Sequence, residues 1–138
     1  MRTTQRKGDT ATACAIAKFT EMGYDVSIPL TESAAYDLIV DTSEGLKRVQ
    51  VKYSSGPWVD LRRIHSNAQG YVVKETVPNA YDWLVVYYNN CVWLYRDCPQ
   101  QHGIKVNNRF ENLTDKQIVV EPEPEVIIGF ALGGRKVV

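Results

Sequence analysis

The run WLVVYY, residues 83–88, constrains what this chain can fold into more than any other stretch. Side chains alternate between the two faces of a strand. Trp83, Val85 and Tyr87 fall on one face and Leu84, Val86 and Tyr88 on the other, and both sets are apolar or aromatic. A strand of that kind belongs at the centre of a core, with cover on both sides. Residues 82–88 and 91–96 flank Asn89-Asn90, a pair that tolerates positive φ, and together they read as a hairpin.

The rest of the chain supplies elements to surround that hairpin. Residues 8–23 read as a helix, with Gly8-Asp9 as a cap, an Ala-rich interior and Gly23 as the stop. Thr12, Ala15, Ile16 and Phe19 share one helical face, which should pack on a sheet. Residues 24–29, 36–41 and 46–53 read as strands. The connection at 42–45 is so short that the second and third must run antiparallel. Residues 58–64 and 71–74 read as a less regular strand pair. Residues 97–125 are polar and irregular, with a short strand at 116–120, and 126–132 form a late apolar strand. No repeat, low-complexity segment or linker interrupts this order. It indicates a single domain over residues 1–138, of the α+β class.

Composition narrows the function classes only a little. Lys plus Arg and Asp plus Glu each total 16, so the formal net charge is zero. A nucleic-acid partner would therefore have to be held by a local basic patch. The apolar runs are far short of a membrane span, and residues 1–9 show no apolar signal segment. Cys14, Cys91 and Cys98 are odd in number and lack metal-motif spacing; they read as reduced thiols in a cytoplasmic protein. His65 and His102 have no partners at metal-ligand spacing.

The chemistry concentrates in YDLIVDTSEGLKRVQVKY, residues 36–53. Leu46, Arg48, Gln50 and Lys52 lie on one face of the third strand. Antiparallel pairing brings the start of the second strand beside the end of the third. It sets Asp37 near Gln50 and Lys52. A carboxylate and an amide oxygen suit a hard cation such as Mg²⁺, and the Val51 carbonyl adds a third oxygen. A Lys beside the metal can orient water and offset charge on a phosphate.

Tyr36-Asp37, a spacer and then Gln50-Val51-Lys52, behind a Gly-led helix, resemble the PD-(D/E)XK nuclease superfamily. Gln-x-Lys replaces the usual acid before the Lys, and Tyr36 stands at the place of the motif's Pro. The stretch is similar to the branch of homing endonucleases encoded in cyanobacterial group I introns, and residues 81–99 are similar to that branch's later hairpin. The resemblance covers about residues 5–98. It implies a restriction-endonuclease-like core, with a mixed central sheet, an N-terminal helix packed on it and added hairpins. It further implies Asp37, Gln50 and Val51 as metal ligands for Mg²⁺, with Mn²⁺ as a substitute, and Lys52 as the catalytic Lys. Double-stranded DNA would be the substrate and a homodimer or homotetramer the working form.

One position departs from the pattern. The helix of such nucleases carries a Glu on its sheet-facing side, and counting from Gly8 that position is Thr12. Thr12 leaves the site with one carboxylate and implies impaired cutting; Asp9, one turn earlier, is a candidate substitute. Candidate DNA contacts are Arg6 and Lys7 ahead of the helix, and Arg62, Arg63, His65 and Lys74 in the stretch after the site. Three alternatives stay open: a catalytically inactive DNA-binding protein of the same fold, a junction-resolvase or restriction-like nuclease, and a protein-interaction module. Gln50 speaks against the resolvase, whose motif has Glu there.

Overall fold

The computed structural model describes residues 3–67, 70–74 and 77–115. Its one α-helix among these, α1 (Thr3–Glu21), starts earlier than the sequence suggests. Gly8 lies inside the helix and does not cap it. A single interior Gly costs only about 1 kcal/mol, too little to end a helix whose preceding residues are compatible with it. The Thr10 hydroxyl donates to the Arg6 carbonyl, and the Gln5 amide reaches the Asp9 carboxylate at 3.4 Å. The C-terminal stop is as expected. Gly23 takes φ 90°, its N–H bonds the Thr20 carbonyl, and the Tyr24 N–H bonds the Phe19 carbonyl.

Six strands form the main sheet. They are β1 (Asp25–Ser27), β2 (Leu38–Thr42), β3 (Gly45–Tyr53), β7 (Trp83–Tyr88), β8 (Cys91–Tyr95) and β10 (Glu111–Asn112), in the order β1-β2-β3-β7-β8-β10. Every neighbouring pair is antiparallel except β3 and β7, which run parallel from Val49↔Trp83 to Tyr53↔Tyr87. The central position expected for β7 is borne out. Trp83 and Val85 pack with Val49, Val51 and the buried stripe Ala11, Ala15 and Phe19 of α1. Leu84 and Val86 pack on the other face with Val59, Leu61, Tyr81, Ile104 and Phe110. Thr12 and Ile16 flank the helical stripe and are half-buried. Burying Phe19, which is wholly inaccessible, contributes about 2–3 kcal/mol. Asn89 and Asn90 take φ 55° and 60°, the backbone of a type I′ turn, and set the β7–β8 register at Tyr88↔Cys91.

The middle of the chain differs from the expectation of one strand at 58–64. It splits into β4 (Trp58–Asp60), paired with β9 (Gly103–Lys105), and β5 (Arg63–Asn67), paired with β6 (Gly70–Lys74). The break has a local cause. Leu61 is buried and its N–H bonds the His102 carbonyl, while the Arg62 N–H turns back to the Asp60 carboxylate at 3.0 Å. Strands β9 and β10 fall in a stretch that reads as irregular, because each is too short to show alternation. The strands expected at 116–120 and 126–132 lie outside the described residues.

A clamp ties β3 to the start of β7. Asp82 accepts from the Arg48 N–H at 2.8 Å and from its guanidinium at 3.2 Å twice, and the Asp82 N–H returns to the Arg48 carbonyl at 2.9 Å. The guanidinium also lies 5.9 Å from the Tyr36 ring centroid. The paired guanidinium holds the Asp82 carboxyl below the usual aspartate range. This clamp fixes the residue just before Asp37 against the same strand that carries Gln50 and Lys52.

Candidate active site

The site forms where β2 parts from β3. Pairing holds from Thr42↔Gly45 to Leu38↔Val49, and one more bond follows, from the Asp37 N–H to the Val49 carbonyl at 2.8 Å. Beyond it the β2 backbone is gone, and the Asp37 side chain takes its place: Oδ2 accepts the Val51 N–H at 2.8 Å. The N–H and C=O of one strand residue point to the same edge. The Val51 carbonyl therefore also opens toward the gap that Asp37 occupies. Burial pushes the Asp37 carboxyl above its ordinary value, while the Val51 N–H and the Lys52 charge pull the other way.

Gln50 and Lys52 are half-buried on the face away from α1, because Val49 and Val51 face the helix. They line a narrow crevice with Leu61, Val77 and Tyr81. Asp60 lies within the field of Lys52. Its carboxyl is lowered to about 2, first by the Arg62 guanidinium, which binds it at 3.0 and 2.9 Å. Glu32 and Asp37 line one open cleft of about 230 Å³ between β1 and β2. Neither Asp60 nor Glu32 stands out in the sequence, since each sits in a segment with no motif spacing.

Asp37 thus binds the Val51 N–H and lies in the field of Lys52, while Gln50 shares a crevice with Lys52 that Asp37 does not line. Thr12 does not join them on their face. α1 reaches β7 and β8 on one side and β1 on the other. Cys14 lies beside the Tyr87 hydroxyl on the β7 side, so Thr12, almost opposite on the helical wheel, is on the flank toward β1 and β2. Asp9 is exposed a further turn along and is engaged with Gln5.

Among the DNA-contact candidates, Arg6 and Lys7 are exposed near the start of α1. The Lys7 ammonium sits 5.4 Å from the Tyr53 ring centroid. Arg62 is held by Asp60, and Arg63 and Lys74 are register partners in the β5–β6 hairpin that also carries His65.

The oxygen set of Asp37, Gln50 and Val51 fits a hard divalent cation. A carboxylate half-buried at a cost, with its second oxygen outside the Val51 bond, is the group such a cation would compensate. Among the described residues no three His, Cys, Asp or Glu side chains gather, so the set has one formal charge.

Comparison with known proteins bears on the fold and the family. The model of the PD-(D/E)XK endonuclease family matches residues 2–121. Among solved structures the chain is similar to a bacterial homing endonuclease, I-Ssp6803I, with 33% identity and a TM-score of 0.60 over 69% of this chain and 70% of that one. No curated protein matches. The family match takes in the helix, the Asp37 hairpin and every strand of the sheet, and so extends well beyond a short motif: the chain belongs to the PD-(D/E)XK endonuclease family.

Proposed function

We propose that the chain is a Mg²⁺-dependent DNA endonuclease of the homing type, with Mn²⁺ able to substitute. It acts in the cytoplasm on double-stranded DNA, as a single catalytic domain in a homodimer or homotetramer. The observation that carries this reading is the half-buried Asp37 carboxylate, fixed by the Val51 N–H beside the Val51 carbonyl, with Gln50 and Lys52 on the adjoining face. The description of I-Ssp6803I as a homing endonuclease supports the finer class.

A divalent cation at such a site supplies charge neutralisation on the phosphate and a more acidic water. The residues of the chain do the rest. Asp37 gives the ligand set its negative charge, and its bond to Val51 keeps the carboxylate from turning away. Gln50 and Val51 add neutral oxygens. Lys52 places an ammonium where charge builds on the phosphate and helps orient the water that adds across the P–O bond. One such site cuts one strand, so a double-strand break takes two copies.

Supercoiled plasmid with and without a candidate intron-insertion sequence, in Mg²⁺ or Mn²⁺, tests this beside Lys52→Ala. Discrete products that depend on the metal and vanish in Lys52→Ala are expected. A second reading, a non-cutting DNA-binding protein of the same fold, is favoured by Thr12 at the acid's place. Retained duplex binding with no cutting in either metal would replace the first reading by the second.

A further inference from the structure

A second polar cleft, of about 180 Å³, lies at the ends of the parallel strands β3 and β7, lined by Tyr53, Ser54, Ser55, Tyr87, Asn89 and Asn90. Each of these side chains carries a hydrogen-bond donor, and no carboxylate is among them. Tyr53 and Tyr87 stand with ring centroids 5.9 Å apart, and the Lys7 ammonium overhangs Tyr53. The Tyr87 hydroxyl and the Asn90 side-chain oxygen are 3.5 Å apart, an arrangement that leaves the Asn90 amide hydrogens for another acceptor. Both Asn residues are exposed in the turn between β7 and β8.

From this geometry we infer that the cleft is a DNA-backbone subsite, gripping phosphate and sugar oxygens beside the scissile bond through Lys7, Ser55, Asn89 and Asn90. This rests on the nuclease reading above. The ligand class follows from the chemistry: several neutral donors, one cation and no acid suit an anionic, oxygen-rich chain. By contrast, the cleft at Asp37 carries two carboxylates. Position points the same way. Tyr53 to Ser55 follow Lys52 directly, so the subsite is within about 10 Å of it at roughly 3.3 Å per extended residue. Measured along the duplex axis, such a span covers about three base-pair steps, at about 3.4 Å each. Tyr53, Tyr87 and Lys7 stand on the α1 face and Lys52 on the other, so a strand leaving Lys52 would cross the end of β3 to enter this cleft.

The test is fluorescence anisotropy on a mixed-sequence duplex across a salt series. It uses the full chain in Ca²⁺, which takes the same oxygen ligands. Lys7→Gln should raise Kd about five- to tenfold at moderate salt and lower the salt slope by about 0.9, the signature of one lost phosphate contact. Asn89→Gly and Asn90→Gly keep the positive-φ turn and remove a neutral donor; each should raise Kd about three- to tenfold with the slope unchanged. Circular dichroism and Tm are read beside each variant to show that the fold is kept. Wild-type affinity and slope in all three variants, from a chain that cuts plasmid, would overturn this subsite and leave the nuclease reading intact. A wild-type chain that neither binds duplex nor cuts plasmid would overturn both.

Discussion

Two residues decide whether the site is complete, and they behave oppositely. Thr12 stands where an acid is expected, on the helix flank toward β1 and β2. If that side chain completes the ligand set from round the sheet edge, Thr12→Glu should tighten Mg²⁺ binding about tenfold and raise cutting, as one more carboxylate does at a hard-cation site. Calorimetric titration with Mg²⁺ reads this without any turnover, and unchanged affinity in a folded variant would remove Thr12 from the site. Asp37 is present but costly. The folded chain holds its proton more tightly than the unfolded one, because burial raises its carboxyl. Its contribution to stability is therefore full below the ordinary aspartate range and is lost as pH rises through the raised value. Asp37→Asn keeps an oxygen for the Val51 N–H and sheds that penalty. It should raise Tm by a few degrees at neutral pH, on the order of 1 kcal/mol, while Mg²⁺ no longer stabilises the chain. A lower Tm would mean that the carboxylate's bonds outweigh its burial. Asp37, Gln50 and Lys52 were legible in sequence because a short turn fixes their register. Asp60 and Glu32 were not, since each sits in a segment with no motif spacing.

At the scale of elements, local signals read well where turn chemistry is strict and poorly where it is permissive. Gly23 and Asn89-Asn90 need positive φ, and both end or turn an element where expected. Gly8 needs nothing of the kind, and reading it as a cap put the helix start five residues late. A Cβ at Gly8 would meet no heavy atom within 4 Å. Gly8→Ala should therefore stabilise the chain by roughly 0.5–1 kcal/mol through helix propensity. Thermal unfolding checks this, and destabilisation would show that the position serves as something other than interior helix. The split of 58–64 into β4 and β5 was hidden because its causes are the burial of Leu61 and the turn of Arg62 onto Asp60, neither of which alters the alternating pattern.

The parallel pairing of β3 and β7 shapes the whole molecule, and no local pattern announces it. The family resemblance implies a mixed sheet, but the alternation within 46–53 and 83–88 does not say that these two strands are its parallel pair. The path from Tyr53 to Trp83 leaves the sheet, passes through β4, β5 and β6, and returns to the same strand edge, where Arg48 and Asp82 pin it. Strands β5 and β6 pair with each other in a small sheet of their own. Replacing residues 63–74 by a short Gly-Ser link should accordingly leave Tm within a few degrees of the parent, as surface insertions cost little once their ends are fixed, and should weaken duplex binding. A collapse of Tm would show the hairpin to be part of the core. For a lineage of such chains this layout separates two inheritances. The residues proposed to cut sit on strands whose register is locked, while the β5–β6 hairpin beside them forms a two-stranded sheet apart from the main one. On the nuclease reading, a change in that hairpin would alter what the chain grips while leaving the strands that hold Asp37, Gln50 and Lys52 in register.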